Sequence, residues 1–350
     1  MEKKDERERR RRREAIRRKN ARRRQVQRQI ATLITIVSLV VLIFVVKGIS
    51  HVRAEKQLEE QKQQELQKQQ AKKEAEAKKQ AEQKKKEEAV QTTMSELQDE
   101  VEKLVDGFKG DWSLYIQELE YGNEITVNDN ELYPANLIKL YVMAATYENM
   151  DQVLETATEY YGSEKKAEKK IYTLLKNMIE ISDNESYNEL LKLQSSSRNI
   201  TEACATINNF LKENGYKHTE VHTTLVPAYS AFQKDGLGAN TTSVSDCGKL
   251  LKSIYEGKCV SEEASESMLN FLKNQKNDLK IANGIPEGIK IANKTGETDT
   301  VQHDAAIVYG EERDFIICIM TDNIPGAGII FNNIQELVET VYETLNTKGI

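Results

Sequence analysis

Seventeen consecutive residues, Ile30 to Val46, carry no charge (IATLITIVSLVVLIFVV) and are closed off by Arg28 and Lys47. At about 1.5 Å rise per helical residue the run reaches the short end of what crosses a hydrocarbon core, and Lys47 can snorkel to extend it. A cleaved signal peptide is the competing reading. Its basic region would be unusually long, and Val46-Lys47-Gly48-Ile49-Ser50 offers no small-x-small cleavage site. Residues 1–29 hold 15 Lys/Arg and 5 Asp/Glu, a local balance of +10 in a chain of −6, which leaves −16 for the remainder. The positive excess lies wholly on the N-terminal side, which predicts a cytoplasmic head and an outward-facing remainder. The head reads as a topology determinant that also meets anionic lipid. It lacks aromatic interleaving and any recognisable module, which argues against a nucleic-acid partner.

The expected organisation is a basic tail (1–29), a transmembrane helix (30–46), a stalk (47–91) and an outer domain (92–350). From Ala54 to Glu88 the chain is almost wholly Lys, Glu, Gln and Ala, residues that favour helix. Only Leu58 and Leu66 interrupt the polar run, so the apolar a and d positions of a stable coiled coil are missing. A solvated spacer, part helix and part flexible, is the plain reading.

Beyond the spacer, Thr92–Val105 shows helical spacing at Met94, Leu97, Val101, Leu104 and Val105. Trp112–Leu119 and Glu124–Val127 alternate around Tyr121-Gly122-Asn123, a hairpin turn signal. A long helical section runs from Leu137 to Gln275. Strand patterns return at Ile289–Ala292, Ala305–Val308 and Phe315–Met320, before an amphipathic helix over Ile334–Leu345. The pattern predicts an α+β domain: an antiparallel sheet of about five strands flanked by helices, plus an all-helical subdomain. Cys204, Cys247, Cys259 and Cys318 have no metal-ligand spacing. Cys247 and Cys259 read as sharing one helix, too far apart to bridge, and buried free thiols are the expectation. His218 and His222 stand four apart without a third ligand, so no metal is expected, and nothing implies a cofactor.

Three short motifs carry chemistry. Lys294-Thr295-Gly296 opens a strand pattern, Ser182-Asp183-Asn184 lies about 110 residues upstream, and Asn136-Leu137-Ile138-Lys139 precedes that by about 45. Asp304–Gly310 and the Asn240-Thr241-Thr242 helix start add weaker agreement. Together these resemble the active-site set of the penicillin-recognising serine hydrolases, most closely class A β-lactamases, over about residues 95–350. The resemblance implies that Lys139 activates a nucleophile one turn earlier and that Ser182 passes a proton to the leaving group. It implies that Asn184 binds an amide carbonyl and Asp183 braces the loop. Lys294, Thr295 and Gly296, with Glu297 after them, would hold a substrate carboxylate. The expected ligand is a β-lactam or a peptide resembling the peptidoglycan stem.

The position of the nucleophilic serine is Asn136, whose amide has no hydroxyl with which to form an acyl-enzyme. Asn is an acceptable helix N-cap and can accept a hydrogen bond from Lys139, which would satisfy that buried cation. Class A enzymes also use a Glu, followed four residues later by Asn, to activate the deacylating water. No Glu between Asn184 and Thr241 has that spacing, and Glu220, the nearest candidate, has unrelated surroundings. The sequence therefore points to a membrane-anchored β-lactamase-like protein with impaired or absent hydrolysis. An active hydrolase with a different nucleophile and a purely structural envelope protein remain the alternatives.

Overall fold

The computed structural model describes residues 2–276 and 279–347. The chain divides into two units, Met1–Gln83 and Lys84–Ile350. Helix α1 (Glu2–Gly107) takes in the whole of 54–88, where the sequence suggested a partly flexible spacer. The run of helix-favouring residues without Gly or Pro accounts for that difference. In the apolar stretch the side chains are exposed, Phe44 to 71 %. Thr32 and Thr35 donate to the carbonyls of Arg28 and Ala31, so their hydroxyls are satisfied within the helix. By length and composition this helix is apolar enough to cross a membrane or to act as a signal.

In the second unit five strands form one antiparallel sheet: β1 (Asp111–Glu118), β2 (Glu124–Val127), β3 (Lys290–Glu297), β4 (Gln302–Tyr309) and β5 (Phe315–Asp322). Their spatial order is β2-β1-β5-β4-β3, which leaves β3 at an edge. β5 is apolar almost throughout because both of its faces are covered. Phe315, Ile317 and Ile319 meet the last turns of α1 (Val90, Leu97, Val101) and helix α9 (Ala327–Asn346). Ile316, Cys318 and Met320 point the other way, into the core shared with the helical region.

That region comprises α2 (Ile138–Glu148), α3 (Met150–Tyr161), α4 (Glu164–Glu180), α5 (Asn184–Leu193), α6 (Ile200–Glu213), α7 (Val244–Tyr255) and α8 (Glu262–Lys273). Every residue from Ile138 to Thr146 is buried, so α2 has no polar face and forms the centre of the helical layer. All four cysteines are buried free thiols, and burial pushes Cys204 and Cys247 up to about 12. Cys259 lies beyond the end of α7 rather than on the same helix as Cys247, because Gly257 in the left-handed region turns the chain away.

Helix α7 reaches the sheet closely at Gly248, where an added Cβ would stand 2.2 Å from Tyr115 Cε1. Gly248→Ala should therefore destabilise the domain by about 1–3 kcal/mol through overpacking, read as a lower denaturation midpoint with an unchanged m-value.

Candidate functional site

Asn136 lies inside a 3-10 turn (Ala135–Leu137) that leads into α2. Pro134 ends the preceding segment, and Ala135 takes the left-handed region at φ 45°. The turn is held from behind by His303 on β4. Its Nε2–H donates to Tyr133 O (2.9 Å) and its Nδ1 accepts the Thr321 N–H (3.1 Å), which fixes the neutral tautomer. Burial lowers His303 to about 4, in keeping with an uncharged ring. Asn136 is not the side-chain cap that its residue type suggested, since the turn and α2 both begin without a side-chain cap bond.

Ser182-Asp183-Asn184 joins α4 to α5. Asp183 caps α5 by accepting the Ser186 N–H at 2.7 Å, and its own N–H donates to Asn177 O at 3.0 Å. Ser182 is left-handed at φ 59°, a strained backbone for a non-glycine residue. Lys294, Thr295 and Gly296 lie within β3, which extends five residues past the sequence expectation. A Cβ on Gly296 would come within 3.2 Å of Pro134 O, Asn136 N and Leu137 N, so only glycine lets β3 approach the turn this closely.

The lysines bind these pieces together. Lys139 is fully buried and donates to Ser182 O (2.6 Å), Asn184 Oδ1 (2.6 Å) and Ser182 Oγ (3.3 Å). It makes no hydrogen bond to Asn136: the loop supplies better-placed acceptors. Lys294, also fully buried, donates to Ser182 Oγ (2.9 Å) and Thr295 O (2.8 Å). Burial, then the neighbouring Lys294 charge, lowers Lys139 to about 6. Burial lowers Lys294 to about 7, with Asp304 opposing the shift. A third buried lysine, Lys280, donates to Gly296 O, Glu297 Oε2 and His303 O. Asp304 faces these amines, accepts from Asn293 Nδ2 and Ile281 N, and is raised by burial to about 6.

A cavity of about 410 Å³ opens beside this network, lined by Asn136, Ser182, Thr295 and Glu297 together with Glu180, Ile181, Gln275, Lys276 and Leu279. Lys139 and Lys294 stand behind its wall. Asn184 reaches the segment 223–240, donating to Pro227 O at 3.4 Å. In that segment Val226 precedes Pro227 and Ser230 follows four residues later, with Ser230 held by Glu185 Oε2. Glu220 does not line the cavity; its carboxylate, 64 % exposed, bonds His222. Sequence reasoning missed Lys280 and His303, which sit at ordinary loop and strand positions without a motif of their own, and read Asp304 only as the start of a strand pattern.

His222 closes the base of the 223–240 segment. Its Nδ1 lies 2.7 Å from Asp235 and its Nε2 2.8 Å from Glu220, the Asp235 side chain being only 2 % exposed. Burial of the ring is outweighed by the two carboxylates, and His222 is raised. The sign follows. The stabilisation is complete below the unfolded value of about 6.5 and is lost as pH rises through the higher folded value. Hydrogen exchange of residues 223–240 should therefore accelerate above neutral pH beyond its intrinsic rate, and His222→Gln should abolish that pH dependence.

A family model described as the beta-lactamase enzyme family matches residues 96–345. Among solved structures, a β-lactamase from Sphaerobacter thermophilus DSM 20745 aligns at TM-score 0.56 and 18 % identity, covering 70 % of this chain and 96 % of that one. PBP-A aligns at 0.57 and 21 %, covering 71 % and 95 %, and a mutant of PBP-A has been solved as an acyl-enzyme complex with penicillin G. A β-lactamase from Streptosporangium roseum aligns at 0.57 and 19 %, covering 72 % and 98 %. No curated protein sequence matches the chain.

Proposed function

The chain belongs to the beta-lactamase enzyme family, and on that premise we propose a membrane-anchored, outward-facing member that binds a carboxylate- and amide-bearing ligand without turning it over. Asn136 carries this reading: at the cavity wall, where the family resemblance expects the attacking hydroxyl, stands a carboxamide. Loss of such a nucleophile costs on the order of 10⁶ in rate. The segment over Asn184 favours the same conclusion. Between Asn184 and Thr241 no Glu is followed four residues later by Asn, the pair the resemblance expects for activating water.

Binding needs no nucleophile. Thr295 and Ser182 at the cavity, with Lys294 behind them, form a cradle for a carboxylate, and Asn184 offers an amide contact. A second reading, an active enzyme using Ser182, draws on the short contacts from Ser182 Oγ to both lysines. The apolar helix supports the anchor, and the basic residues before it support a cytoplasmic N-terminus.

Intact mass spectrometry of the full-length chain with benzylpenicillin separates the readings. The native protein should gain no adduct. Asn136→Ser should gain one drug equivalent slowly and retain it, since no Glu between Asn184 and Thr241 is followed four residues later by Asn, the pair the resemblance expects for activating the releasing water. An adduct on the native chain would overturn the proposal. Carboxylate binding, measured by calorimetry, should weaken as pH rises above about 7, where Lys294 loses the proton that attracts the anion.

A further inference from the structure

We infer that His222 is a proton-operated latch: clasped between Glu220 and Asp235 as an imidazolium, it holds the 223–240 segment against Asn184 and so ties the grip of the cleft to pH. The inference rests on the binding role proposed above and deepens it by naming a regulation of that site.

Geometry fixes the charge of the ring. Carboxylates only accept hydrogen bonds, and a neutral imidazole has a single N–H. His222 sits 2.7 Å from Asp235 through Nδ1 and 2.8 Å from Glu220 through Nε2, so both bonds exist only while the ring carries both protons. Its side chain is 6 % exposed and that of Asp235 2 %, whereas that of Glu220 is 64 % exposed. Loss of one proton turns a charge-assisted pair into an ordinary hydrogen bond and strips the enclosed Asp235 of its countercharge. These two carboxylates are the charged groups that face the ring; Lys234, beside Asp235, is exposed. On α5, Tyr187 donates to Thr223 O, and on α6 Cys204 lies near Asp235. Burial keeps both uncharged, Cys204 at about 12.

The latch lies where the segment closes on itself. The Asp235 N–H donates to His222 O at 3.0 Å, and Gly238 packs so near the ring that a Cβ there would stand 3.2 Å from Cδ2. Leu225 is buried, but Val226, Tyr229, Phe232 and Leu237 are all exposed, so apolar burial contributes little and polar ties hold the segment. Those ties run to α5. Asn188 exchanges hydrogen bonds with Leu225, Glu185 accepts from Ser230, and Asn184 Nδ2 donates to Pro227 O at 3.4 Å. Asn184 Oδ1 already accepts from Lys139, so the Pro227 contact fixes the plane of the amide and leaves its second N–H for a ligand carbonyl. An amide held in place before the ligand arrives loses less freedom on binding. A loosened segment gives that advantage up.

The test is calorimetric titration of the full-length chain in detergent with acetyl-D-Ala-D-Ala, a carboxylate- and amide-bearing probe, from about pH 5.5 to about pH 9, a range that brackets histidine titration. The ratio of the His222→Gln Kd to the native Kd cancels the Lys294 effect, which both proteins share. It should be about tenfold at the acid end, where the latch is complete, and fall to one as pH rises through the folded His222 value. Glu220→Gln, a change to an exposed side chain, should keep most of the acid-side affinity and lose it at lower pH than the native chain, because one of the two carboxylates that raise His222 is gone. A ratio that does not vary with pH would overturn the inference while leaving the binding role intact. A Glu220→Gln transition at the native pH would also overturn it. Absence of saturable binding by the native chain would bring down the binding role and its regulation together.

Discussion

One hydroxyl holds the site together. Ser182 Oγ lies 2.9 Å from Lys294 Nζ and 3.3 Å from Lys139 Nζ, so that α2, the α4–α5 connection and the edge strand β3 meet at a single oxygen. Two amines removed from water beside each other repel and lose hydration, and the structure answers by lowering both toward neutrality and surrounding them with carbonyl and carboxylate oxygens. The left-handed backbone at Ser182 follows from that requirement, since it turns both the hydroxyl and the carbonyl of one residue toward Lys139. The strain is sustained by the Asp183 cap and the Asn177 contact on either side.

Much of the fold was legible from local pattern. The hairpin around Gly122, the continuous apolar run of β5 and the period-3.6 stripe of α1 from Val90 onward were all readable locally. Strand β3 was read too short because Asn293, Lys294 and Thr295 are polar yet buried, and their partners, Asp304, Ser182 and Gln275, lie far away in sequence. For the same reason Lys280 and His303 were invisible: a buried lysine looks like any surface lysine until the strand carbonyls that receive it are known. The cap expected at Asn136 failed because Ala135 adopts a left-handed conformation that residue type does not announce.

The motif residues and the scaffold behind them tell compatible stories. His303, Gly296 and Pro134 fix the turn so firmly that residue 136 keeps its place regardless of what its side chain can do. The wall around residue 136 is therefore set by the scaffold and not by the side chain that stands there.

The four thiols enclosed in the second unit have a bearing on quality control. Cys204, Cys247 and Cys318 are wholly shielded and Cys259 almost so, and their protonation keeps them unreactive. Under oxidising conditions, chemical modification of these sulfurs is therefore gated by opening of the core. Any molecule found carrying an oxidised cysteine records that its own interior has at some time come apart.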